Sequence, residues 1–452
     1  MTEILDRAVG IADCRGICER EKQLMDAIFQ YAGLPRAKEP GLSVQMCVER
    51  LTQLAYIEER LMFLQAVHIV TTPERDLKGL LSRLQYEDGM HSDQLKVRLT
   101  ELRVAKNKAL NVANERLKLV FDEAMYSVDS IELLGALTKV FKPALLAAYK
   151  SYLRDTNGLA DYSSIRIIRL IVAEEEDGIR LLEAAYRQVV GTPEQEARAQ
   201  HWTSTLQKLL NAVGGLDGTD ITKINDIPLG RAQRPFKVAR SPERDDSFPR
   251  VWDFVHVENK RVPERLVQMV CTRLGEVTIA EALAIVLWEV EDQPWSFYLD
   301  ISRHMWDEMR HSLFGEAATT AIFGERSVMP IRDFEIDYLF KMAPLDLYAM
   351  LGIGVEAALM KYPPGKREEY EFCRDSARHP LMTTLQDFDW ADEVLHVNIA
   401  RRQLSEWYKG TQQELVELAE NGMKLRAVTR HLNPPVAMPE LSDQVSQSLH
   451  SN

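Results

Sequence analysis

Two stretches, WDEMRH at residues 306–311 and ADEVLH at residues 391–396, repeat one phrase: an Asp, a Glu, two spacers and a His. On a helix, Glu-x-x-His sets a carboxylate and an imidazole one turn apart on the same face, where both can hold one metal ion. The pairs are Glu308 with His311 and Glu393 with His396. Elsewhere along the chain apolar residues recur at three- and four-residue spacing, the helical period, in windows such as Val48–Val70 and Ile165–Val190. Nothing alternates with period two for long. The expected fold is all-α.

Two such motifs on two helices, each joined by a lone Glu from a third and a fourth helix, make a di-iron carboxylate centre. If the connection DQPWSF is taken as centred between Pro294 and Trp295, Glu308 reflects across it onto Glu281. Glu289 and Glu291 sit too near that turn, and Glu276 lies more than a turn beyond. For the second pair the run LDLYAMLGIGVEAALMKY offers Glu356 in its apolar body, with Asp346 the alternative. Asp346 follows Pro344 at the helix start, where an Asp serves the helix N-terminus. The surroundings of both Glu residues (EALAIVLW, GIGVEAALM) are apolar, so these acids point inward, where an uncompensated charge is costly.

Residues beside the motifs have two readings each. Asp307 and Asp392 are either exposed acids or outer-shell acceptors, each for the His of the opposite motif, because a metal-bound imidazole normally donates its other N–H. His304 and Asp389 precede Glu308 and Glu393 by one turn on the ligand stripe. Each is an extra ligand, a proton carrier, or a hydrogen-bonded core residue. Gly352 either opens a pocket beside Glu356 or permits close helix packing. Tyr348, Trp288 and Trp390 are core aromatics, with electron transfer the other reading. Cys14 and Cys18, spaced CxxxC, are read as packing residues.

The pattern Glu281…Asp307-Glu308-x-x-His311…Glu356…Asp392-Glu393-x-x-His396 resembles the ferritin-like di-iron carboxylate superfamily. Within it, EALAIVLWEVEDQPWSFYLDISRHMWDEMRH and DEVLHVNIARRQL are similar to an uncharacterised bacterial ferritin-like family with PW-x-F between the first two helices. The resemblance is confined to residues 262–430. It implies a ferritin-like four-helix bundle, with Glu281, Glu308 and His311 on one metal and Glu356, Glu393 and His396 on the other. Glu308 and Glu393 would bridge, and the cofactor would be two Fe ions or an Fe/Mn pair.

The expected organisation is an N-terminal helical bundle over 1–214, a linker or arm over 215–261, the di-metal domain over 262–430, and a flexible tail over 431–452. The segment from Gly214 to Pro263, punctuated by glycine and proline, is too long for an ordinary loop. The first bundle reads as a degenerate copy of the second. Glu59 and Asp88 lie equally far from the turn TTPERD, and Asp88-x-x-His91 stands in for Glu-x-x-His. Glu175 falls where a ligand belongs, but Gly178 replaces its His, and the remaining carboxylate position holds Lys142. No full di-metal site is expected there, and scaffolding, dimerisation or shaping a substrate channel are its roles.

Composition narrows the function classes. The chain has 452 residues, with 55 Lys+Arg against 68 Asp+Glu and a net charge of -13. That excess of acid opposes a nucleic-acid or anionic-membrane footprint. No apolar run reaches bilayer-spanning length. The acidic start MTEILDRAVGIADCRG lacks a signal peptide's basic region, and five cysteines make no disulfide framework, so a cytoplasmic protein is expected. The leading expectation is an oxygenase or oxidase that activates O2 to oxidise a small organic substrate. Its electrons come from a separate donor or from the substrate, and a homodimer is plausible on this reading. The alternatives are an iron-handling ferroxidase or peroxide-detoxifying protein, and a non-catalytic scaffold.

Overall fold

The computed structural model describes residue 34 and residues 36–216, 230–255 and 261–437. Cys14, Cys18, residues 217–229 and 256–260 of the expected linker, and the tail from residue 438 lie outside the described residues. The chain is predominantly helical, as the periodicity predicts. Among the described residues, strand is limited to Arg250–Val251 pairing in parallel with Ile331–Arg332. A single bridge joins Phe254 to Val436.

The described part of the first half opens with a helical hairpin, α1 (Val44–His68) and α2 (Arg75–Glu101). Ser43 caps α1 by accepting from the Met46 amide. After shorter helices come α3 (Lys142–Asp155), α4 (Tyr162–Val189) and α5 (Pro193–Ala212). Pro143 lies just after a π-helical stretch, Ala136–Phe141, which runs without a break into α3. Thr192 and Gln195 cap α5 reciprocally.

The second half holds α6 (Val262–Gly275), α7 (Val277–Glu289) and α8 (Trp295–Phe323). The rod α6–α7 is broken at one residue, Glu276, whose amide bonds back to the Arg273 carbonyl in a tightened turn. Pro294 precedes α8, and Gly324 ends it in the left-handed conformation at φ 76°. Next is α9 (Pro344–Ala349), continued by a π-helical stretch Met350–Glu356 and a last turn Ala357–Leu359. The short α10 (Lys366–Glu371) leads to α11 (Pro380–Trp407), and α12 (Gln412–Arg430) closes the described helices.

The halves meet along α2 and α8, which run antiparallel. Arg75 bonds Glu316 at 2.5 Å and Ser312 at 3.0 Å, while further along α2 Gln85 exchanges hydrogen bonds with Ser302. One continuous apolar core includes residues of both halves, from Leu51 and Phe63 to Phe297 and Tyr348. Residues 230–255 lie across this joint: the Glu243 amide donates to Val70, Arg244 reaches Glu281, and Asp245 accepts from the Arg75 amide.

Two glycines set how closely the helices of the second half approach. A Cβ on Gly315 of α8 would lie 2.7 Å from the Leu274 amide nitrogen of α6. A Cβ on Gly352 would lie 2.2 Å from the Ala400 Cβ of α11, closer than carbon atoms can approach. Close packing is thus what Gly352 provides. It lets the π-helical stretch seat against α11, and that seating carries Glu356 inward.

Gly352→Ala is therefore expected to destabilise the fold by about 1–3 kcal/mol, the usual cost of overpacking. Denaturant unfolding measures it. An unchanged midpoint would show that the two helices can separate freely.

Candidate metal centre

The π-helical stretch ends on Glu356, α8 supplies His304, Glu308 and His311, and α11 supplies Asp389, Glu393 and His396. These side chains are all buried. Together with Glu276, from the break between α6 and α7, they form two adjacent groups. His304, Glu308, Glu356 and His396 make one; Glu276, His311, Asp389 and Glu393 make the other. Within each group the ligand atoms lie within 4.8 Å of one another.

In the first group, His304 Nε2 is 2.8 Å from Glu356 Oε1 and 3.5 Å from Glu308 Oε1, and His396 Nδ1 is 3.4 Å from Glu308 Oε1. The rings of His304 and His396 stack with centroids 3.9 Å apart. In the second group, His311 Nδ1 is 3.5 Å from Asp389 and 3.8 Å from Glu276. The groups touch through their imidazoles, His311 and His396 lying 5.8 Å apart.

Behind them the motif aspartates cross over. His311 Nε2 faces Asp392 at 3.2 Å, and His396 Nε2 faces Asp307 at 3.4 Å. Arg310 ties the two aspartates together at 2.6 Å each, and Arg303 adds a 2.6 Å bond to Asp307. An ionised carboxylate only accepts, so each Nε2 carries the proton and each Nδ1 is left facing the group. Burial opposes the charge on Asp307, yet His396 and Arg303 hold its carboxyl below the usual range.

Electrostatics shows how short the first group is of positive charge. Burial disfavours the imidazolium of His396, but Asp307 and Glu308 overcome it and push its pKa well above the usual value. His304 is raised too, against burial and against His396, by Glu356 and Glu308. Burial likewise opposes ionisation of Glu308, and the two imidazoles still hold it well below the usual carboxylate range. Protons on these rings substitute for a cation, and a bound metal ion would displace them.

The side chains fit a divalent metal. Glu356 Oε1 and Oε2, both nitrogens of His304, and Nδ1 of His396 are buried without a hydrogen bond. In the second group Glu276 Oε2, His311 Nδ1 and Glu393 Oε2 are likewise unbonded. Buried polar atoms are normally satisfied, so unbonded ring nitrogens and carboxylate oxygens converging in this way mark a place for an ion. Imidazole and carboxylate together suit iron, manganese or zinc.

The placement of the sequence-derived residues differs at several points. Glu308, His311, Glu356, Glu393 and His396 come together, and His304 and Asp389 join them. Each Glu-x-x-His pair is split, because Glu308 groups with His396 and Glu393 with His311. Asp346 stays in the first turn of α9. Tyr348 is buried 6.0 Å from the His304 ring, whereas Trp288 donates to the Phe236 carbonyl and Trp390 packs near Tyr370.

Glu281 is not part of either group. Lys78 of α2 and Arg244 hold it, the latter at 2.6 Å. The turn explains the displacement. α7 ends at Glu289 and α8 starts at Trp295, so the connection centres on residue 292 and Glu308 reflects onto Glu276. Five residues of helix separate positions 276 and 281, a rotation of about 140° at 3.6 residues per turn. Glu276 therefore faces α8 and α11 while Glu281 faces the first half. Burial lowers the Lys78 pKa to about 8 even with Glu281 beside it.

The first half has a third group: Glu58, Asp88, His91 and Glu175. Glu58 replaces the expected Glu59, which pairs with Lys96 instead; one helical step turns a side chain about 100°. At its centre is the Lys142 ammonium, 2.6 Å from Asp88 and 2.7 Å from Glu175. Tyr149 donates to Glu58 and Gln65 to Asp88. Gly178 packs against Leu84.

Among the residues that escaped the sequence reading are two cations of the second group. Lys366 contacts Glu393 at 2.8 Å and Asp389 at 3.0 Å, and Arg273 contacts Asp389 directly and Glu276 at 2.9 Å. Lys366 lies in an irregular connection with no periodic signal. A surface cleft of about 830 Å³, lined by Leu77, Asp129 and Arg326, touches none of the grouped residues. No helix among the described residues is long and apolar enough to cross a membrane.

No protein-family model, curated protein or solved structure matches this chain.

Replacing Glu281 by Gln leaves Lys78 and Arg244 buried beside a neutral partner, an expected loss of about 3–5 kcal/mol. Metal content of the purified variant should equal that of the wild type. A fall in metal content at unchanged stability would return Glu281 to the ligand set.

Proposed function

We propose that this chain is a non-haem oxidoreductase with a di-metal carboxylate centre, iron or iron and manganese, that uses O2 to oxidise a small organic substrate. The supporting observation is the pair of adjacent buried groups, each combining imidazole with carboxylate and each carrying unbonded lone pairs. The finer architecture proposed is a ferritin-like bundle, in which α6–α7, α8, α9 and α11 surround the centre.

His304, Glu308, Glu356 and His396 would hold one ion, and Glu276, His311, Asp389 and Glu393 the other. A redox-active metal held there would supply one-electron chemistry toward dioxygen, with the electrons drawn from the substrate or a separate donor. The protein's own residues set the rest. Asp307 and Asp392 fix the two imidazoles by accepting their Nε2 protons, so that each Nδ1 faces inward. Arg310 pairs with both aspartates, and Arg303 with His396 holds Asp307 in its ionised, acceptor-only form against burial. Tyr348, itself buried, lies 6.0 Å from the His304 ring and gives the first group an apolar neighbour.

A metal-free scaffold is the competing reading, favoured by the internal cations Lys366 and Arg273 on the second group. Elemental analysis of protein produced with added iron decides between them. Bound iron is expected in the wild type and in His91→Ala, and lost in Glu356→Ala. Stable protein free of metal would remove the oxidoreductase reading. For the iron-loaded chain, O2 uptake that accelerates on adding an organic substrate supports oxidation chemistry. Uptake that only deposits ferric iron would move the function to iron handling.

A further inference from the structure

The three acidic groups are unequal in the positive charge the chain itself provides. Around Glu308 and Glu356, the ion-pairing partners within 4.0 Å among the described residues are imidazoles, His304 and His396. Neither acid has a Lys or Arg beside it. Around Asp389, Glu393 and Glu276, by contrast, two permanent cations are inserted. Lys366 Nζ sits 2.8 Å from Glu393 and 3.0 Å from Asp389, and Arg273 reaches both Glu276 and Asp389. Lys366 is itself buried, with about 1% of its surface exposed, so its amine is seated among the acids and does not lie over them.

The first half shows the limiting case of this arrangement. Lys142 stands between Asp88 and Glu175 with the same short contacts, and it comes from a different place in the fold. Lys142 begins α3, whereas Lys366 begins α10, the short helix after Glu356. An ammonium among carboxylates is thus used twice, from unrelated positions, to offset buried negative charge.

We propose that the second half takes its two ions with unequal strength. A divalent ion seats first among His304, Glu308, Glu356 and His396. The place among Glu276, His311, Asp389 and Glu393 is held by the Lys366 amine and admits an ion only when that amine withdraws. Lys366 is then a built-in competitor that controls passage from a one-metal to a two-metal chain. This rests on the metal-centre reading above.

Two observations support it independently. The first group has five unbonded buried ligand atoms on three residues, with no permanent cation to offset its two acids. The second retains unbonded atoms of its own, Glu276 Oε2, His311 Nδ1 and Glu393 Oε2, so it remains able to bind once the ammonium leaves. A metal ion bonds carboxylate oxygen at roughly 2.0–2.2 Å and cannot share the Lys366 position, because two cations there would repel at close range.

The test is calorimetric titration of the metal-free, full-length chain with Co(II), followed by metal analysis after desalting. The wild type is expected to bind two ions in separated steps, the second at least ~100-fold weaker, and to retain one on desalting. Lys366→Met should bring the two affinities within ~10-fold and retain two ions. Lys366→Arg, which keeps the charge, should behave as wild type. Two equal, tight ions in the wild type, or an unchanged second step in Lys366→Met, overturn the proposal and leave the metal centre standing. No Co(II) bound by any form overturns both. The wild-type titration alone decides the inequality if the Met variant does not fold.

Discussion

Buried negative charge is the constraint on which the interior of this protein depends. An ionised carboxylate removed from water is tolerable only beside a cation or several strong donors. Buried acids gather in several places among the described residues, and four of these are answered differently. Glu281 takes Lys78 and Arg244, and the group of the first half takes Lys142. The group containing Asp389 takes Lys366 and Arg273. The group containing Glu356 has, among the described residues, imidazoles as its ion-pairing partners. That gradation, from fully paired to unpaired, separates structural ion pairs from the candidate metal position.

The outer layer of the centre is wired with near two-fold symmetry. Each motif's Asp faces the other motif's His, and Arg310 joins both aspartates at equal distance. The consequence is mechanical as well as electrostatic. α8 and α11 cannot slide past one another without breaking both Asp–His contacts and the Arg310 bridge. The separation of helices around the centre is held from the other side by Gly315 and Gly352, which allow backbones to approach where a Cβ would collide.

Much of the centre was legible in the amino-acid sequence, because Glu-x-x-His is a local pattern whose geometry any helix reproduces. Glu308, His311, Glu393 and His396 follow from spacing, and Glu356 follows from being the one acid inside an apolar run. The helical register also singled out His304 and Asp389, without saying that they complete the groups. Glu276 was missed because reflecting across a turn doubles any error in its centre. A shift of two and a half residues in the turn moves the partner by five. Glu59 and Glu58 differ by a single step, which on a helix is a different face. Lys366 and Arg273 carried no signal, since nothing in a sequence tells which cation folds back onto which acid.

The sequence by itself determined the all-α class, the two motif helices and the inward direction of their acids, because helix periodicity and the cost of buried charge act within a single segment. Only the tertiary structure decided which acids share a group, that each motif's Glu joins the other motif's His, and which groups receive an internal lysine. Those choices depend on helix rotation, turn length and the distance between elements far apart in the chain. A few ångströms there decide whether a carboxylate meets an ammonium or is left with its lone pairs open.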